Sequence, residues 1–240
     1  MKTEADARRL AQSLVATGEL AGVRTEALLT RMDAPLGRAV GNALEIIESI
    51  ETLKGRGPAD LESLSVEFAA RMLALSGVEQ DLARATLRVR TALSSGAGVE
   101  KLREIIQNQG GDPKAVDDYG RLPRAPDRDV VAAARDGVVV AMRAEAVGRA
   151  AAGLGAGRDR LDAAIDPAVG FMVVAPVGTR VRAGDPIVEI HHRAGHGVAE
   201  ARRLLESAID IGDVPVAARP LVLDRIQGRR PHEERTSHGE

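Results

Sequence analysis

Apolar positions along the first half of the chain recur at helical spacing. Leu10, Leu14 and Val15 follow Thr3, with Asp6 three residues beyond it as in a capping box, and Gly18 and Gly22 mark an end; the pattern predicts a helix over 3–21. Residues 23–30 predict a strand, and Asp33-Ala34-Pro35-Leu36-Gly37 a turn. Asn42 followed by Glu45 repeats the capping pattern, with Asn42 as the cap. Beyond it Ala43, Ile46, Ile47, Ile50 and Leu53 form one stripe. Gly55-Arg56-Gly57-Pro58 breaks the chain, and Pro58 suits the start of a third helix. That helix carries the stripe Leu61, Leu64, Phe68, Met72 and Leu75 and stops at Gly77. Two more helices fit 80–94 and 99–108, closed by Gly110-Gly111-Asp112-Pro113.

The periodicity changes near residue 122. Leu122-Pro123-Arg124-Ala125-Pro126 has the composition of a linker, and short valine-rich runs follow: 138–140, 172–174, Val181 and 187–190. Helices over about 145–153 and 198–208 interrupt them. The polar stretch 227–240 predicts a disordered tail. The expected class is α+β, with a helix-rich part over 1–121, a strand-rich module over 122–226 and the tail.

Composition narrows the chemistry. The charges nearly cancel, 33 Lys+Arg against 35 Asp+Glu, which argues against a nucleic-acid surface. Aromatics make up only 1%, Phe68, Tyr119 and Phe171, so base-stacking platforms are not expected and the core must be aliphatic. With no cysteine, disulfides, thiolate catalysis and cysteine-ligated metals are excluded. The polar start and the lack of a long apolar run predict a cytoplasmic chain with no membrane partner.

The turn and helix near residue 40 read Met32-Asp33-Ala34-Pro35-Leu36-Gly37-Arg38-Ala39-Val40-Gly41-Asn42-Ala43-Leu44-Glu45. This resembles the M-D-x-P-L-G-x-x-x-G-N-A-L-E signature of pyrimidine-nucleoside (thymidine) phosphorylases. Leu53-Lys54-Gly55-Arg56-Gly57-Pro58-Ala59-Asp60-Leu61 is similar to that family's L-K-G-x-G-P-x-D-L, and Gln109-Gly110-Gly111-Asp112 to its Q-G-G-D. Leu154-Gly155-Ala156-Gly157-Arg158 resembles L-G-A-G-R, and Ile165-Asp166-Pro167-Ala168-Val169-Gly170 resembles I-D-x-A-V-G. The motifs occur in the family's order.

The resemblance implies part of a mixed α/β phosphorylase domain followed by a hammerhead-like half-barrel. It implies reversible phosphorolysis of a pyrimidine nucleoside, with phosphate as co-substrate. It also implies a potassium ion on main-chain oxygens of Leu36 and Ala39 and the carboxylate of Glu48, with Val15 lining the pyrimidine pocket. Only Met1-Lys2-Thr3 matches the end of the family's D-V-K-x-G-x-G-A-F-M-K-T stretch. The expectation is therefore a carboxy-terminal part, whose catalytic residues lie upstream or on a separately encoded amino-terminal half. The alternative is a catalytically inactive fragment acting as an oligomerisation or binding module. A sheet edge left bare by missing strands would favour homo-oligomers or aggregates.

Each feature also has a plainer reading. Glu45, Glu48 and Glu51 alone would be a solvated helix face. From Asn42 to Glu48 runs about 9 Å of helix axis, so a shared cation needs loop 35–41 folded back beside the helix. Val15 could be one more core residue. Gly153 to Arg158 suits a tight turn rather than a nucleotide loop. His191, His192 and His196 lack a zinc spacing, and the Asp117-Asp118 and Asp159/Asp162 groups suit loop charges. Gly178-x-x-Val181-x-x-Gly184-Asp185-Pro186-Ile187-Val188-Glu189-Ile190 resembles biotinyl and lipoyl carriers. No lysine follows Lys114, so the cofactor's attachment point is missing.

Overall fold

The structure is a computed structural model that describes residues 3–158, 164–215, 217 and 219–228. Asp159, Asp162 and most of the tail expected over 227–240 lie outside the described residues.

Helix α1 (Glu4–Leu20) begins at the predicted cap. Thr3 Oγ1 accepts from Asp6 N at 3.1 Å, and its hydroxyl donates to the Asp6 carboxylate at 2.7 Å. The strand that follows, β1 (Glu26–Thr30), is shorter than the expected 23–30. Val23 N donates to Gly18 O at 2.9 Å and Thr25 N to Glu19 Oε1 at 3.0 Å, so 23–25 close the helix end instead of entering a sheet. Next come β2 (Ala39–Val40) and α2 (Asn42–Leu53). The N-cap of α2 is Gly41 rather than Asn42 and makes no side-chain cap bond; Glu45 Oε1, four residues on, accepts from Gly41 N at 2.9 Å, so the expected reciprocal box is not formed.

Helix α3 (Ala59–Ser76) starts after Pro58 and ends at Gly77, whose φ of 78° is left-handed. Its buried residues are Val66 and Ala70, while Phe68 and Met72 of the expected stripe are 39% and 65% exposed. At about 100° per residue Val66 and Ala70 lie on the face opposite that stripe, and Arg71, between the two faces, reaches Glu26 of β1 at 2.6 Å. Helices α4 (Leu82–Ser94) and α5 (Ala97–Asn108) follow. Two 3₁₀ turns, Pro113–Val116 and Tyr119–Arg121, are capped by the carboxylates of Asp112 and Asp118. Ile50, Val99 and Val116 form the small core of this half.

The second half runs β3 (Asp127–Ala132), β4 (Gly137–Met142), α6 (Ala144–Leu154), β5 (Gly170–Val173), β6 (Arg180–Val181), β7 (Pro186–His192), α7 (Val198–Ala208), β8 (Ile209–Gly212) and β9 (Val222–Gln227). Strand β9 takes in Gln227, the first residue of the expected tail. The fold is α+β, with antiparallel pairing throughout the described sheets. One sheet has the order β2-β5-β7-β3 and another β6-β4-β8, while β1 pairs with β9. Helices α6 and α7 pack on each other over a core that includes Phe171, Val188, Ile190 and Leu205, all fully buried. The sheets tie the halves together, since β2 comes from the helical segment and β9 returns to β1.

Candidate functional site

Four of the sequence motifs meet at the start of α2. Loop 35–41 folds back beside the helix, as a shared site at Glu48 requires. Glu48 Oε1 accepts from Arg38 N at 2.8 Å and from Ala39 N at 3.1 Å. Its second oxygen lies against Gly37. A Cβ built on Gly37 would stand 2.3 Å from Oε2, well inside van der Waals contact, and φ there is +73°. Glycine is required at this position both for its backbone conformation and for the space that the carboxylate takes.

The Glu48 carboxyl is pushed above the ordinary carboxylate range. Burial is the main cause; the two backbone N–H bonds and the Arg38 charge oppose it, and Asp60 nearby adds to it. Asp60, from the second motif, accepts from Gly37 N at 3.2 Å and lies 3.8 Å from Arg38. Sequence reasoning did not single out Asp60 as a site residue. Its fixed place in the L-K-G-x-G-P-x-D-L motif was the available signal.

The other side of the junction is held by the last two motifs. Asn42, released from capping, donates from Nδ2 to Ala156 O at 2.8 Å, and Ala43 N donates to Pro167 O at 3.0 Å. A Cβ on Gly170 would lie 2.2 Å from Val40 O and 3.2 Å from Gly41 Cα, so two backbones pass at a distance that excludes any side chain. The same approach lets Val40 pair with Phe171 in the β2–β5 ladder. Asp166 caps its own turn through Ala168 N at 3.0 Å and is held below the usual carboxylate range by Arg193, and then by that backbone bond. Gly155 ends α6 with a φ of 107°, so 153–158 form a helix-closing turn.

The other sequence candidates lie elsewhere. Val15 is buried with Ala11 on α1, the helix that packs on β1 and β9, and the structure does not bring it to the loop holding Leu36, Ala39 and Glu48. Gln109-Gly110-Gly111-Asp112 also stays apart, with Asp112 capping a 3₁₀ turn and pairing with Arg121 at 2.6 Å. Asp117 pairs with Arg103 at 2.6 Å. His192 accepts from Gly195 N at 3.1 Å through Nδ1, so Nε2 carries the proton facing Asp129 at 3.3 Å. Among the described residues no group of three or more His, Asp or Glu side chains could hold a metal.

A second recess lies between α2, the 119–128 segment and β7. It has a volume of about 310 Å³, with Leu44, Ile47, Ala168, Tyr119, Arg124, Arg128 and His191 among its walls. Tyr119 donates its hydroxyl proton to Glu51 and lies 3.3 Å from Lys54 Nζ. Burial, then the bond to Glu51, pushes the phenol up to about 12. Among the described residues no helix is long and apolar enough to cross a membrane.

Known proteins bear out the motif reading. Residues 138–212 match the family described as pyrimidine nucleoside phosphorylase C-terminal domain. A pyrimidine-nucleoside phosphorylase of Bacillus subtilis (strain 168) is 41% identical over 191 residues, 80% of this chain and 44% of that protein. One of Staphylococcus aureus (strain USA300) is 37% identical over 226 residues, 94% of this chain and 52% of that protein. The chain thus spans about half the length of the curated relatives it matches. Homology over nearly its whole length, with the motifs converging on one junction, places the chain in the pyrimidine-nucleoside phosphorylase family, as a counterpart of its carboxy-terminal part.

Proposed function

We propose that this polypeptide contributes the cation-binding junction and the half-barrel of a pyrimidine-nucleoside phosphorylase. In that reaction phosphate attacks C1 of the sugar, the bond from C1 to the base nitrogen breaks, and the base leaves with the bonding electrons. The products are free base and ribose or deoxyribose 1-phosphate. The observation that carries the reading is the Gly37 notch, filled by a half-buried Glu48 carboxylate that the loop's own N–H groups hold in place.

That arrangement fits potassium. A hard monovalent cation takes carbonyl and carboxylate oxygens, and a carboxylate whose charge is penalised by burial gains from a counter-ion. Leu36 and Ala39 would offer main-chain oxygens and Glu48 its carboxylate. The ion would fix the loop on which the motifs converge. Val15 would contribute to the pyrimidine pocket only from α1, through the apolar face it shares with Ala11. The working enzyme would be a cytoplasmic homo-oligomer. Leu10, Leu14 and Leu20, 45%, 57% and 91% exposed on α1, give it apolar surface for association.

The test is thymine release from thymidine and phosphate by the purified chain, alone and mixed with the amino-terminal portion of the Bacillus subtilis relative. Turnover that needs potassium and falls in Glu48→Gln is the expected result. A mixture whose partners are folded and associated but which releases no base would favour the other reading, an inactive oligomerising module.

A further inference from the structure

We propose that the recess between α2, the 119–128 segment and β7 is a second ligand site, for a small organic oxyanion such as a phosphate monoester or a carboxylate. Its volume of about 310 Å³ is that of roughly ten waters, at the small end of ligand clefts. The floor is apolar, from Leu44, Ile47 and Ala168. The polar groups are cationic or donor-capable. Arg124, on the wall, makes no ion pair among the described residues. Arg128 reaches only Glu189, at 3.7 Å, with both side chains partly exposed, so solvent weakens that pair.

His191 completes the wall. It is the cross-strand partner of Arg128 in the β3–β7 ladder, and the residue is only 8% exposed. Its Nε2 is buried without a hydrogen-bond partner; the Glu189 carboxylate, 3.6 Å away, is too far to bond. An orphaned buried nitrogen costs stability unless something meets it. Burial, and then the Arg128 charge, hold the imidazole below its usual pKa. The local surplus is positive, because two guanidinium groups, Arg124 and Arg128, stand against the single carboxylate of Glu189. Guanidinium groups beside an apolar floor fit a ligand with an oxyanion at one end and a flat apolar body at the other. The recess shares Leu44 and Ala168 with the motifs that meet at the junction, but Gly37, Glu48 and Asp60 do not line it, and its ligand does not depend on the phosphorylase assignment.

Phenyl phosphate and benzoate are suitable probes, with benzyl alcohol as the neutral control. Binding to the full chain is read by NMR titration of the His191 imidazole and the Ile47 methyls. The oxyanions are expected to shift both sets of signals and to raise the His191 titration midpoint, while benzyl alcohol does neither. Either oxyanion supports the site, and the tighter one names the source. Arg124→Ala should weaken the binding about tenfold, the loss of one charge-assisted hydrogen bond, with Arg124→Lys intermediate. Both side chains are on the surface, so folding is checked simply by an unchanged methyl spectrum. Equal binding of benzyl alcohol and phenyl phosphate, or undiminished binding when Arg124 and Arg128 are both alanine, overturns the proposal. So does a His191 signal that stays still at millimolar probe.

Discussion

Replacing Gly37 by alanine tests whether the Glu48 carboxylate is seated in the notch. The substitution has two separable costs. A φ of +73° in a residue with a Cβ costs about 1 kcal/mol. The new Cβ would also fall 2.3 Å from Oε2 and 3.0 Å from Cδ of Glu48. The carboxylate must withdraw by about 1 Å to reach ordinary contact. That withdrawal pulls Oε1 off Arg38 N and Ala39 N, now 2.8 and 3.1 Å away. Bonds to a charged acceptor are worth up to about 2 kcal/mol each, and water entering this half-buried position recovers part of that. The total expected loss is about 2–4 kcal/mol, measured by urea denaturation followed by circular dichroism. A double-mutant cycle isolates the clash: against Glu48→Ala, Gly37→Ala should cost only the backbone part, leaving a coupling of about 1–3 kcal/mol. Identical costs in the two backgrounds would mean that the side chain does not occupy the notch, and the case for a cation site would fall with it.

Three further outcomes follow from the same geometry. Gly170→Ala sets a Cβ 2.2 Å from Val40 O, where only backbone can yield, and should cost about 3 kcal/mol or more; hydrogen exchange should show Ala43 N losing protection as its bond to Pro167 O opens. Burial lowers the His191 pKa from 6.5, so the unfolded chain takes up the proton first. Stability is therefore fully present above about pH 6.5 and declines as pH falls toward the lower folded value. The urea midpoint of the native chain relative to His191→Gln should fall over that window, and a pH-independent difference would contradict it. Arg71→Ala leaves the Glu26 carboxylate, whose side chain is 6% exposed, with Arg225 as its remaining cation. A loss of about 3 kcal/mol in thermal denaturation is expected, mostly recovered when Glu26 is also made Gln.

The helices were legible because their signals are local. Thr3 with Asp6, Pro58 and Gly77 act within a few residues of themselves, and the structure uses each as the sequence predicts. The short strands were not, because their pairing comes from elsewhere. Ala39 and Val40 are a strand only because Met172 and Phe171 lie opposite, and 222–227 only because β1 needs a partner. Asp127–Ala132 looks polar because it alternates, and its Val131 is the residue that turns into the core. The stripe on α3 misled for a related reason. Periodicity locates apolar positions but not which of two faces a neighbour covers: Val66 and Ala70, on the side of α3 opposite the stripe, are buried while Met72 is 65% exposed.

The candidate site was legible as a set of motifs and opaque as a mechanism of assembly. Sequence spacing separates Gly37 from Asp60 and Asn42 from Ala156, and nothing local says that these pairs touch. What brings them together is steric. Gly41 caps α2 at a φ of 130°, which frees the Asn42 side chain to reach the turn after α6. Gly170 lacks the atom that would hold β5 away from Val40, so the β2–β5 pairing can close over the junction. The glycines in these motifs therefore encode approach distances rather than flexibility. An approach distance is expressed only when both strands are present. On this argument the Glu48 carboxylate is not placed by its own helix alone. It is placed by a loop whose far end is fixed in the half-barrel, and loosening β5 should free the notch as surely as filling it.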